Sequence, residues 1–503
     1  MTTEISSDDR STAAGAARRP LQPASGGPGS GRANAALADS DADEGRLFSM
    51  YQAHRKIYPR AVAGTFARLR WSAVILTQLI FYGLPWIEWN GRQAVLFDLA
   101  ARKFHLFGIV LWPQDFVYLA GLLVIAALAL FFFTAVAGRL WCGYACPQTM
   151  YTEIFMWIER VVEGDRNHRM ALDAAPMSAR KLRLKATKHA LWAALALWTG
   201  FTFVGYFTPI RELGPQALAL SLGPWQWFWM LFYGFTTWGN AGFMREQVCK
   251  YMCPYARFQS AMFDKDTLIV TFDAARGDPR GSRSRKADPR ALGLGDCVDC
   301  GLCVQVCPTG IDIRDGLQYE CISCGGCVDV CDTVMDRMGY PRGLVRHATE
   351  RALTERLDRR AVWRRVLRPR VLVYGTLLLA LTAALLLSLA TRNPLKVDVI
   401  RDRAALARIV EDGRIENTFR LHLMNAQERP HRYRVTVEGL PGLTIAGPAE
   451  FDVEPASNRA VAVRVQAPPQ AGPAGSNRIR FTIEAVDSES ISRTEAAAFI
   501  IPR

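Results

Sequence analysis

The chain carries two hydrophobic patterns in succession. Through its first half, apolar residues run in nearly unbroken blocks of about 20, the length that crosses a ~30 Å hydrocarbon layer as a helix. Four blocks are Trp71 to Trp89, Phe116 to Ala137, His189 to Phe207 and Ala217 to Trp238; a fifth, Val371 to Ala390, stands apart. Beyond it the period shortens to two. TFRLHLMN, RYRVTVEGL, LTIAG, FDVEP, AVAVRVQAP, RIRFTIEAV and AAAFIIP alternate apolar and polar residues between Gly, Pro and Asn. That pattern predicts about seven short strands in ~105 residues and an all-β sandwich.

The expected fold class is a multi-domain membrane protein with a five-helix transmembrane bundle, a cysteine-rich module ahead of the fifth helix and a C-terminal all-β sandwich. Residues 1–48, rich in Ala, Gly, Ser, Asp and Pro, predict a disordered tail without a cleavable signal peptide. A four-helix transmembrane domain follows over 49–263. A linker with Gly and Asp-Pro signals fills 264–296. The cysteine-rich module covers 297–345, a basic juxtamembrane segment 346–370, the fifth helix 371–391, and the sandwich 395–503.

The net charge of +14 invites a nucleic-acid reading, but no reader motif accompanies it. Its placement says something else. Lys and Arg crowd HRKIYPRAVAGTFARLR, the segment between the second and third blocks, and DRRAVWRRVLRPR, and nearly vanish from TPIRELGPQ. The positive-inside rule then puts the N-terminus and the cysteine-rich module in the cytoplasm and the sandwich on the opposite side of the membrane. The first exported loop, with Arg92, Arg102 and Lys103, fits this least well.

Eight of the twelve cysteines fall between Cys297 and Asp332. Cys297, Cys300, Cys303 and Cys307 form C-x2-C-x2-C-x3-C-P; Cys321, Cys324, Cys327 and Cys331 repeat the spacing, with Asp332 in place of the proline. This is the bacterial ferredoxin run, in which three thiolates wrap one cube and the fourth crosses to the other. One [4Fe-4S] cluster takes Cys297, Cys300, Cys303 and Cys331; the other takes Cys321, Cys324, Cys327 and Cys307. Gly301, Gly325 and Gly326 would let backbone amides approach the sulfides. Zinc explains two triple runs poorly, and disulfides do not suit a reducing cytosol.

The other four cysteines form two C-x3-C-P copies, Cys142/Cys146 and Cys249/Cys253, in which Tyr144 matches Tyr251, Pro147 matches Pro254 and Tyr151 matches Phe258. Each follows a pair of apolar blocks, as a parallel internal repeat would. The proline belongs in the first turn of the next helix, so Cys146 and Cys253 should sit just before helix N-termini, where thiolate is favoured. Soft thiolates, with Met150, Met244 and Met252 as candidate thioethers, select Cu(I). These cysteines are therefore candidates for catalysis, by holding copper or by thiol redox. A further iron-sulfur cluster and plain packing stay open. His54, His105, His168 and His189 lack a haem-like spacing, and WQWFWMLFYGFTTW reads as an interfacial belt that could border a quinone pocket.

Together KIYPRAVAGTFARLRW, GRLWCGYACPQT, WIERVVEGDR, REQVCKYMCPYARFQSAMFD and the paired cluster runs resemble the FixG/CcoG-type cytochrome c oxidase accessory proteins, from about residue 50 to the C-terminus. The resemblance implies a role in assembling cbb-type oxidase by reducing Cu(II) to Cu(I). It also implies the immunoglobulin-like ending. The partners expected are the bilayer, oxidase subunits, copper chaperones and an electron donor that is a soluble reductant or a quinol, with a homodimer left open and nucleic acid excluded. The rival readings are a quinol-linked electron-transfer subunit and a non-enzymatic assembly scaffold.

Overall fold

The computed structural model describes residues 56–402, 407–410 and 413–502; the expected N-terminal tail and His54 lie outside them. The body that begins at Ile57 starts with eight helices, α1 (Thr65–Gly83), α2 (Phe116–Ala137), α3 (Leu140–Tyr144), α4 (Pro147–Glu163), α5 (Arg166–Ala174), α6 (Ala179–Val204), α7 (Ile210–Leu218) and α8 (Pro224–Gly239). Seven more follow, α9 (Pro254–Ala261), α10 (Ala274–Gly277), α11 (Leu302–Gln305), α12 (Gly326–Met338), α13 (Glu350–Thr354), α14 (Arg359–Val366) and α15 (Pro369–Ala390).

Helices form at all five predicted blocks, but among the described residues only Pro113–Ala137 and Pro369–Ala390 are long and apolar enough by themselves to cross a membrane. The reasons are local. The first helix starts six residues before its block, at Thr65, and stops at Gly83, where Leu84–Trp86 turns with Pro85 near its start. Arg68 and Arg70 therefore occupy its first turns. The third, capped by Ser178, which accepts from the Lys181 N–H at 3.2 Å, opens on two basic turns. The fourth block divides at Gly223–Pro224 into α7 and the 16-residue α8. The two longest apolar helices pack on each other, and Tyr118 donates its hydroxyl to the Ser388 carbonyl at 3.2 Å.

Sixteen strands occur among the described residues. β1 (Glu88–Trp89), β2 (Arg92–Gln93), β3 (Val95–Asp98), β4 (Lys103–Leu106) and β5 (Ile109–Leu111) fold the loop between α1 and α2. β6 (Ile269–Phe272) and β7 (Val345–Ala348) pair antiparallel. Strand β6 comes from the segment expected to be linker, and Val270 and Phe272 join Cys297, Ile311, Val328 and Met335 in the core of the cysteine-rich module.

After α15 come β8 (Leu395–Arg401), β9 (Arg408–Ile409), β10 (Ile415–Asn425), β11 (His431–Glu438), β12 (Thr444–Ile445), β13 (Glu450–Val453), β14 (Asn458–Ala467), β15 (Gly475–Ala485) and β16 (Ser488–Ile501). All seven predicted strands are there; β8 and β9 were not in the pattern. They build a sandwich with sheet orders β12-β14-β10-β8 and β13-β11-β15-β16. Period-two burial closes it over Phe419, Tyr433, Phe481 and Phe499, all fully buried. The α1–α2 loop docks on this sandwich. Val110 and Trp112 pack with Met424 and Ala426, buried Asp115 pairs with Arg392 and Lys396, and Arg92, awkward as an exported charge, pairs with Glu428.

Candidate redox site

The two cysteine runs repeat in backbone as well as in spacing. Asp299 and Gly301 have φ of 52° and 63°; their equivalents 24 residues on, Ser323 and Gly325, have 54° and 73°. Each left-handed glycine starts a helix, α11 or α12, and the tight turns swing three sulfurs of each run to one side. Gly326 instead lies inside the first turn of α12, and its contribution is an N–H directed at the Cys324 sulfur. Amides of Ser323 and Val345 serve Cys321 and Cys331 in the same way.

Two cavities separate the eight cysteines. One of about 380 Å³ is lined by Cys297, Cys300, Cys303 and Cys331, with Phe272, Val334 and Met335 behind them. The other, about 360 Å³, is lined by Cys307, Cys321, Cys324 and Cys327, and Cys303 reaches its wall as well. The fourth cysteine of each run thus faces the other run's cavity. The walls are largely apolar, and burial pushes the thiols of Cys303 and Cys321 up to about 11 and about 12, so unliganded thiolates would be costly here. Among the described residues no group of three or more His, Cys, Asp or Glu side chains closes on a single metal ion. Sulfurs ringing an open cavity suit a bulky cluster better than one ion.

The membrane-edge motifs also repeat in three dimensions, with an offset of 107. Gly138 and Arg245, four residues before the first cysteine of each pair, share an unusual bend (φ 55°, ψ −120° and φ 40°, ψ −110°). Cys146 and Cys253 each donate their N–H to the carbonyl five residues back, at Trp141 and Val248, at 2.9 and 2.8 Å. Both then take extended backbone and cap α4 and α9, whose first residues are Pro147 and Pro254. The copies interlock. Gln148 of the first donates to the carbonyls of Asn240 and Arg245 at 2.9 and 3.1 Å, and Gln259 of the second accepts from the Cys142 thiol at 3.2 Å and the Arg139 guanidinium at 3.4 Å.

This brings all four cysteines together, with Cys249 in electrostatic range of Cys146, Cys142 and Cys253. Among the described residues these four side chains do not close on a single ion. Burial pushes the Cys142 thiol up to about 11 and the Cys249 thiol up to about 12, while Arg139 pulls both the other way. Of the candidate thioethers, Met150 is buried and Met244 and Met252 are exposed. His189 stacks on Phe243, His105 is buried in strand β4, and Trp225 and Trp229 lie exposed along α8. None of these rings lines the two cysteine cavities.

Sequence reading missed the residues that join the two cysteine sites. Arg139 is buried, and its guanidinium donates to the carbonyls of Tyr319 and, at 3.3 Å, Cys321. Tyr144 donates its hydroxyl to the Cys324 carbonyl at 3.2 Å, and a Cβ on Gly143 would meet the Ile322 carbonyl at 2.7 Å. The first C-x3-C-P motif therefore lies directly on the 321–324 loop. On the far side, Asp329 of α12 accepts from the N–H groups of Phe66 and Ala67, capping α1. Only an arginine three residues before a cysteine, at the end of an apolar run, hinted at any of this.

Paired four-cysteine cavities in a ferredoxin-like module, seated on a helical domain, define an iron-sulfur electron-transfer protein. Residues 244–350 match the family model of the 4Fe-4S dicluster domain, residues 119–163 that of a 4Fe-4S binding domain, and residues 385–502 that of the Ig-like fold at the C-terminus of FixG. The chain is 40% identical over 436 residues to the nitrogen fixation protein FixG of Rhizobium meliloti, covering 80% of this chain and 83% of that one. It is 41% identical over 419 residues to protein RdxB of Cereibacter sphaeroides, covering 80% and 88%. A more distant relative is the ferredoxin-type protein NapH of Haemophilus influenzae, 22% identical over 201 residues, 37% of this chain and 65% of that one. The chain belongs to the FixG family.

Proposed function

We propose that the chain is a membrane-bound iron-sulfur reductase that converts Cu(II) to Cu(I) at the four-thiol site, in support of cbb-type oxidase assembly. One observation carries this reading. The motif that supplies Cys142 and Cys146 also supplies Arg139 and Tyr144, which hydrogen-bond to the backbone of two cavity cysteines, Cys321 and Cys324. An electron in that cavity needs no other domain to reach the thiols.

In this reading Cys297, Cys300, Cys303 and Cys331 hold one [4Fe-4S] cluster, and Cys321, Cys324, Cys327 and Cys307 hold the second. The apolar cavities and converging amides fit that group. Such clusters supply one-electron transfer at potentials that reach about −400 mV, low enough to reduce cupric ion. At the other site, Cu(II) as substrate displaces the protons that burial keeps on Cys142 and Cys249, takes one electron and becomes Cu(I). Soft thiolates favour the reduced ion. Thiols gathered without a closed cage suit an ion that must leave again.

The exposed apolar surfaces support a membrane placement. Leu76 and Leu79 on α1, Leu122 and Leu123 on α2, Leu197 and Trp198 on α6, Phe232 and Phe235 on α8, and Leu379 and Leu386 on α15 are all exposed, which suits lipid contact for all five helices. The cysteine-rich module precedes α15 and the sandwich follows it, so a crossing by α15 would separate them to opposite faces; the positive-inside rule supports a cytoplasmic module and a periplasmic sandwich, free to meet oxidase subunits or a copper chaperone. The test is anaerobic purification, iron analysis and EPR, then Cu(II) with a Cu(I)-specific chelator. Iron-loaded protein that produces no Cu(I) would refute copper reduction.

The similarity to the ferredoxin-type protein NapH supports a second reading, an electron-transfer subunit without a substrate of its own, for which a quinol is the candidate donor. Quinol-dependent reduction of the iron-sulfur signal without any response to copper would support it.

A further inference from the structure

A cavity of about 540 Å³ opens beside the cysteine-rich module, between α1, α4 and the chain preceding α1. Its charged wall is unbalanced, with Arg60, Arg70, Arg160 and Arg169 against Glu153 and Asp165. Glu153 is engaged by Arg70 at 3.3 Å, and Asp165 accepts the Ala61 N–H at 3.1 Å. Arg169 is held from behind by Glu159 at 2.8 Å. Arg60 and Arg160 have no carboxylate partner within 4.0 Å among the described residues.

The deeper pair are unusual groups to bury. The side chains of Arg70 and Arg169 are only 9% and 4% exposed, and the Nε–H of each has no acceptor in the described structure. An unsatisfied donor on a buried guanidinium costs on the order of 1–3 kcal/mol unless something outside the chain accepts it. Two such donors and two unpaired rim guanidiniums around one cavity call for a compact multivalent anion with several oxygen acceptors. Phosphate has that chemistry, and guanidinium is the side chain that matches it best.

We infer that this cavity binds a phosphate group. Its setting gives the ligand a consequence. Val306 and Pro308, on either side of Cys307, complete the wall, and Arg70 is also within electrostatic range of Cys324. A phosphate held here places negative charge beside the second cysteine cavity and makes reduction there harder. Trp71 and Trp157 also line it, and Trp157 is exposed, as an aromatic at a headgroup level would be. An acidic phospholipid headgroup and a soluble phosphate share this chemistry. The lipid source rests on the membrane placement proposed above; the soluble source does not.

The experiment uses full-length, iron-loaded protein in nanodiscs of phosphatidylcholine, with and without added phosphatidylglycerol, and the rim variants Arg60→Gln and Arg160→Gln. Native mass spectrometry reads retained lipid, and an EPR titration reads both iron-sulfur signals, with millimolar inorganic phosphate as a separate arm. Loss of about fivefold in retained phosphatidylglycerol per arginine removed, with a parent potential that is lower in nanodiscs containing phosphatidylglycerol than in phosphatidylcholine alone, establishes the lipid source. No retained lipid, but a fall in potential with inorganic phosphate that both variants abolish, establishes the soluble source. No retained lipid and no phosphate response, or variants indistinguishable from the parent, overturns the site. An unchanged visible spectrum in each variant shows that it has folded.

Discussion

Arg139 and Cys321 lie 182 positions apart, yet the buried guanidinium of the first donates to the carbonyl of the second at 3.3 Å. The same side chain reaches Gln259, which accepts from the Cys142 thiol. One cation thus stands between the two cysteine sites.

Replacing Arg139 by Gln removes positive charge beside a centre that gains an electron, so the reduction potential of the second iron-sulfur signal should fall. A tenfold change in the redox equilibrium corresponds to about 60 mV for one electron, and a fall of that order is expected in an EPR titration. Arg139→Lys keeps the charge and should recover much of the shift. An unchanged potential in the Gln variant would exclude an electrostatic role for Arg139.

The variant Cys142→Ser with Cys249→Ser should abolish copper reduction while the ferredoxin-type spectrum stays intact. Iron content separates two roles for these cysteines. Two [4Fe-4S] clusters give about eight irons per chain, and the variant should keep them all. About 12 irons, falling to eight in the variant, would instead assign the four thiols to a further cluster, a role compatible with the match of residues 119–163 to a 4Fe-4S binding domain.

Loss of the Asp329 carboxylate leaves the N–H groups of Phe66 and Ala67 without acceptors at the start of α1. Asp329→Ala should destabilise the junction by about 1–2 kcal/mol, seen as earlier loss of iron-sulfur absorbance on heating and faster proteolysis around residue 64. Asp329→Asn keeps an acceptor and should lie between. Identical melting of all three proteins would remove the capping role.

Burial holds Cys142 and Cys249 as neutral thiols, with values near 11 and 12. Because the raised values favour the protonated form, the thiolate fraction at pH 7 is small and grows about tenfold per pH unit until those values are approached. Alkylation of both cysteines in copper-free protein, followed by mass spectrometry, should therefore keep rising from pH 7 to pH 9. A plateau below pH 8 would show that an activated thiolate is present. The stability linkage has the corresponding sign: burial of the neutral thiols supports the fold below the ordinary thiol range, and this support is lost as pH rises through 11.

The residue sequence determined whatever depends on local spacing. Three cysteines at intervals of three must converge on one side of tight turns, and left-handed backbone at Gly301 and Gly325 agrees with that. Period-two alternation was enough for seven strands of the sandwich, and Pro147 and Pro254 marked the starts of α4 and α9. Tertiary structure decided what depends on distant segments meeting. The start of α1 is set by Asp329, more than 260 residues away; β6 exists because β7 pairs with it; Arg139 acquires its role from the 319–321 loop. A short apolar or charged stretch has many energetically similar partners along a chain of this length, and only closure of the whole fold selects which carbonyl a buried guanidinium will meet.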